Sequence, residues 1–104
     1  MQEIPLINAP NQELFFMEKE QKFKIKLYAT DYTMLGEIYI NDKPVLTGFK
    51  LLPLNYFLPY PYLIPKGIGN FFIECKPDVE VDYNQFGITQ SLVYINEWEL
   101  LIHG

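Results

Sequence analysis

The chain contains no arginine: all eight of its basic residues are lysine, set against thirteen Asp and Glu for a net charge of −5. Nucleic-acid readers and phosphate clamps rely on the bidentate guanidinium fork, and an acidic domain repels a polyanion. DNA and RNA are therefore not expected partners. Cysteine is almost as scarce. Cys75 stands alone, which rules out an internal disulfide and a cysteine-rich metal site and fits a reducing compartment. Serine and histidine also occur once each, as Ser91 and the penultimate His103. A Ser-His-acid triad would have to join a strand residue to a tail residue, with no nucleophile-elbow glycines around the serine. A Cys75–His103 pair meets the same objection, and Cys75 follows Phe71, Phe72 and Ile73, where a buried inert thiol is expected. Long apolar runs are missing too: none approaches the ~20 residues of a membrane span. Met1-Gln2-Glu3-Ile4-Pro5 has neither a basic nor an apolar leader region. The expectation is a soluble, unexported protein with no enzyme activity, no cofactor, no metal and no membrane partner.

The remaining polar groupings are weak. Glu74, Asp78, Glu80 and Asp82 supply carboxylates, but Asp-Val-Glu-Val-Asp lacks the glycine that a calcium loop needs for its sharp turn. A solvated loop or edge strand is expected there. Gly67-Ile68-Gly69 lacks the strand-turn-helix frame of a phosphate site and reads as a turn into the strand starting at Asn70. Lys22, Lys24 and Lys26 fall on one strand face, where a solvated surface is expected ahead of a docking site for an acidic partner.

Period-two alternation is what the chain has in abundance. In Gln21 to Ala29, Phe23, Ile25 and Leu27 face one way and the lysines the other, which makes a half-buried strand. Gly36 to Ile40 repeats the pattern, and Asn41-Asp42-Lys43-Pro44 turns it into a hairpin with Val45-Leu46-Thr47. Further strands are expected at Ile4–Ile7, Leu14–Met17, Asn70–Lys76 and Ile88–Ile95, the last favoured by its β-branched residues. Asn96-Glu97-Trp98-Glu99 suits either one helical turn or a continued strand. At 104 residues there is room for one domain, 1–104. Six or seven short strands predict an all-β fold, a small antiparallel barrel or sandwich, with the barrel favoured because its closure would hide its apolar edges.

Residues 48–67 break the alternation. Pro53, Pro59, Pro61 and Pro65 are interleaved with Tyr56, Phe57, Tyr60 and Tyr62, and the only charges are Lys50 and Lys66. Proline lacks the amide that a central strand donates and clashes inside a helix, so this long loop runs extended or turned while its side chains demand cover. The cover is either the rest of the domain or another protein. Tyr56, Phe57, Tyr60, Tyr62 and Leu63 are the candidate interface residues. A sugar- or peptide-binding module stacking its ligand on the tyrosines is the alternative.

Taken along its length, the chain resembles the baseplate plug family of tailed bacteriophages. The resemblance rests on Glu3-Ile4-Pro5-Leu6, Asn11-Gln12 leading to Leu14-Phe15, Phe23-Lys24-Ile25-Lys26-Leu27 and Glu37-Ile38-Tyr39-Ile40. It continues through Leu46-Thr47-Gly48-Phe49-Lys50-Leu51-Leu52-Pro53, Leu58-Pro59-Tyr60, Gly87 and Leu92-Val93-Tyr94-Ile95. It implies a small OB-like β domain without catalysis, made in the host cytoplasm and built into the virion tail. The implied partners are other baseplate proteins (hub, tail tube and spike), with a homo-oligomer also possible.

Overall fold

The computed structural model describes residues 1–18, 20–31, 33–58 and 69–96. Tyr60, Tyr62, Leu63, His103 and the segment around Trp98 lie outside the described residues. Within them are seven strands: β1 (Gln2–Ile4), β2 (Asn11–Glu18), β3 (Gln21–Ala29), β4 (Met34–Ile40), β5 (Lys43–Lys50), β6 (Asn70–Glu74) and β7 (Ser91–Ile95). The fold is all-β. One single-turn 3-10 helix, Tyr83–Gln85, is capped by the Asp82 carboxylate, which accepts from the Asn84 amide at 3.0 Å.

Two antiparallel sheets form, β2-β3-β4-β5 and β1-β7-β6. The closed barrel expected from the alternation does not form among the described residues. Closure would need the outer strands of the meander to meet, but β5 carries Pro44 near its start and two register breaks, opposite Gly36/Glu37 and Ile38/Tyr39. Such a strand bends and pairs on one side only. Gly48, at φ +68, is the residue skipped at the first break, a backbone state that costs glycine little.

The local signals account for most boundaries. Asn41 and Asp42 both take positive φ, the two-residue primed turn that matches strand twist. The Asn41 side chain also accepts from the Lys22 amide at 3.0 Å, tying the turn back to β3. β1 stops at Ile4, ahead of Pro5, rather than starting there. β7 starts at Ser91 rather than Ile88, because the Gln85 carbonyl collects the amides of Ile88, Thr89 and Gln90 and holds them in a turn.

The inner faces of the sheets share one core. Phe23, Ile25, Leu27 and Ile38 from the larger sheet meet Phe71, Ile73, Leu92 and Tyr94 from the smaller, all essentially buried. Aromatic rings form its centre. Phe23 meets Phe71 edge-on at 5.3 Å, Phe71 lies 5.1 Å from Tyr94, and Phe16 packs 4.7 Å from Tyr94. Burial of each such side chain contributes about 1.5–3 kcal/mol, and tilted pairs add to it.

Candidate docking surfaces

Beyond β5 the chain runs beside the open edge of β6. Pro53 bridges Ile73 in parallel, the Leu54 amide donates to the Ile73 carbonyl at 3.0 Å, and the Phe57 amide to the Phe71 carbonyl at 2.8 Å. Asn70, fully buried, completes the attachment. Its Oδ1 accepts from the Leu58 amide and its Nδ2 donates to the Leu58 carbonyl, both at 2.9 Å, so one side chain stands in for a strand's backbone. The side chains along this segment divide between core and solvent, with the change falling between Tyr56 and Phe57. Phe57 and Leu58 are buried, and the Phe57 ring lies 5.1 Å from Phe49. Leu52, Leu54 and Tyr56 are 40%, 46% and 43% exposed. Tyr56 leans edge-on against Phe72 at 5.9 Å.

Of the five residues expected to form an interface, Tyr56 is therefore at the surface and Phe57 serves the core, while Tyr60, Tyr62 and Leu63 lie outside the described residues. Leu52 and Leu54 were not anticipated as surface residues. Their one signal in the sequence is the Leu52-Pro53-Leu54 spacing, which puts two leucines on the same side of an extended backbone. Asn70, an amide opening an otherwise apolar strand, was equally readable as a clamp.

Leu52 and Pro53 also wall a groove of about 240 Å³ with Pro77, Asp78 and Val79 on its other side. A larger cleft of about 610 Å³ lies between the β3–β4 turn and the β6–β7 connection. Its polar groups are largely committed to structure. Asp82 caps the 3-10 turn, and Gln90 accepts from the Asp82 amide at 2.9 Å and donates to the Glu80 carbonyl at 2.8 Å. Burial pushes the Cys75 thiol up, keeping it protonated at neutral pH. Among the described residues no three His, Cys, Asp or Glu side chains converge as a metal site would need.

The lysine stripe on β3 is internally engaged rather than simply solvated. Lys24 Nζ sits 4.4 Å and Lys26 Nζ 5.6 Å from the centre of the Tyr39 ring, and Lys22 pairs with Asp42 at 3.2 Å. The Tyr39 hydroxyl donates to Glu37 Oε1 at 2.8 Å. That hydrogen bond, followed by desolvation and the Glu37 charge, raises the Tyr39 pKa.

The described residues thus make a small all-β domain with exposed apolar side chains on a backbone fastened to a sheet edge. Over residues 1–97 the sequence matches the family described as Cyanophage baseplate Pam3 plug gp18. The chain belongs to this baseplate plug family, structural components of the phage tail. No curated protein sequence matches it.

Proposed function

We propose that this protein packs against hub, tail-tube or spike proteins of the baseplate through the proline-stiffened segment that follows β5. The observation carrying this reading is the exposure of Leu52, Leu54 and Tyr56 on a backbone held by hydrogen bonds from Leu54, Phe57 and Leu58. A segment already ordered before docking loses little entropy on binding, which favours affinity. The proposal extends to Tyr60, Tyr62 and Leu63, which follow this segment in the sequence. The reading includes residues 1–104 acting as one unit, supported by a core that draws on both sheets. It also includes an OB-like arrangement of the strands, for which the four-strand antiparallel meander is the supporting feature. Production in the host cytoplasm belongs to it as well. The role is non-catalytic: the family is structural, and Ser91 lies in a ladder opposite Glu74 rather than on a nucleophile turn.

The test compares Tyr56→Ala and the double change Tyr60→Ala plus Tyr62→Ala in two measurements, thermal unfolding of the isolated protein and incorporation into tail particles. Loss of incorporation with unchanged melting is the expected result, since aromatic anchors at interfaces carry ~2 kcal/mol or more each. A large fall in melting temperature would assign the rings to the fold, and normal incorporation would remove them from the interface.

A further inference from the structure

The two sheets have four edges, and the chain treats one of them differently from the others. β1 is three residues long and is followed by Pro5. β6 is covered by the segment from Pro53 to Leu58. β5 carries Lys43, Pro44, Lys50 and two register breaks. Each is a known way of keeping an edge from pairing with another chain: shortness, proline, cover, lysine, bulges. β2 uses none of them. It pairs with β3 without a break from Asn11 to Glu18, contains neither proline nor lysine, and leaves Phe15 64% and Met17 63% exposed. Among the described residues no strand lies on its outer side.

The phase of the ladder fixes which backbone groups are open. The Ala29 amide donates to the Pro10 carbonyl and the Asn41 amide to the Lys22 carbonyl, so Lys22 faces β4 and its neighbours Gln21 and Phe23 face β2. By antiparallel alternation Gln12, Leu14, Phe16 and Glu18 bond to β3, and the amides and carbonyls of Glu13, Phe15 and Met17 point outward.

We propose that β2 is the site of self-association, pairing antiparallel with β2 of a second copy about a two-fold axis at Phe15 to continue the four-stranded sheet across both subunits. The self-pairing follows from register and charge. With Phe15 opposite Phe15 of the other copy, every opposed pair on the outer face is an outward-facing pair, so Glu13 and Met17 exchange hydrogen bonds in both directions. On the inner face Leu14 meets Phe16 and Gln12 meets Glu18. No carboxylate opposes a carboxylate, and each Glu13 is set against a methionine. The interface is isologous and closes at two copies. It uses the edge of the larger sheet remote from β5 and the proline segment, so it leaves the proposed docking surface for other baseplate proteins open.

The experiment measures the mass of the full chain by sedimentation across a concentration series, together with amide hydrogen exchange. The expected result is a concentration-dependent species of twice the 12.3 kDa chain mass. Slowed exchange at Glu13, Phe15 and Met17 should rise with it. Phe15→Lys, which sets like charges face to face on the axis, should weaken the association by roughly 100-fold or more. Its melting at concentrations below the association range should change little, because in the single chain this side chain is 64% exposed. Met17→Glu provides a second variant should the first fold poorly: it sets a carboxylate against Glu13 of the other copy and should also weaken the dimer. A wild-type chain that stays monomeric with freely exchanging β2 amides overturns the proposal, as does a dimer insensitive to both changes. Protection of those amides only when another baseplate protein is added overturns it too, and would assign the edge to that protein.

Discussion

Asn70 carries more of the proline segment than any apolar residue does, because a buried amide side chain is the group that can satisfy both the N–H and the C=O of Leu58. Asn70→Ala would leave three backbone groups without partners, the Leu58 N–H and C=O and the Phe71 N–H, at ~1–3 kcal/mol each, a destabilisation of roughly 3 kcal/mol or more. Equilibrium unfolding in urea checks this. Faster exchange at Leu58 should accompany it, since the attachment to β6 is then lost. At the surface, Tyr39 offers a residue whose ionisation reports its neighbours. Its pKa lies above the ordinary tyrosine value, chiefly through the hydrogen bond to Glu37, so the small stabilisation it adds is complete below pH ~10 and is lost as pH rises through the folded pKa. Ultraviolet titration should find the Tyr39 phenol ionising late, and Glu37→Gln should bring it back toward the ordinary value.

Glycine at two positions does opposite jobs, and the same substitution separates them. Gly69 lies against the Ile95 backbone, where an added Cβ would collide with the Ile95 carbonyl oxygen just before β6 begins. Gly48 has open space around it but sits at φ +68, at the skipped position of β5. Gly48→Ala should cost roughly 1–2 kcal/mol, the penalty of a left-handed conformation, and leave the sheet intact. Gly69→Ala should cost more, about 3 kcal/mol, because β6 and β7 must separate to admit the methyl group. Melting temperatures order the two, and an equal loss would mean that the β6–β7 approach relaxes freely.

Over the whole molecule, stability concentrates where the sheets meet. Phe71 touches Phe16, Phe23, Phe57 and Tyr94 with ring separations of 5.1 to 6.3 Å, so it joins both sheets and the proline segment. Phe71→Ala should cost roughly 3–5 kcal/mol, a large share of the ~5–15 kcal/mol that holds a domain of this kind together. Denaturant unfolding should show the loss throughout the protein in one transition. Far-UV circular dichroism of the wild type should show a β spectrum without strong helical minima, as the strand content of the described residues requires.

Alternation is a local property, and so β3, the β4–β5 hairpin and the apolar stripe of Phe23, Ile25 and Leu27 were already determined by the sequence: a residue's parity in a strand decides its face. The same holds for the all-β class, for the turn at Asn41-Asp42 and for the proline segment's refusal to become a ladder strand. Whether the strands would close into a barrel was decided by tertiary structure, because closure depends on two strands far apart in sequence meeting edge to edge. Tertiary structure also divided Tyr56 from Phe57, adjacent aromatics in the same loop, since only the hydrogen bonds from the segment to Ile73, Phe71 and Asn70 set which of the two faces the core. The lysine stripe became a network with Tyr39 and Glu37 in the same way, through a neighbouring strand whose register the lysines themselves do not encode.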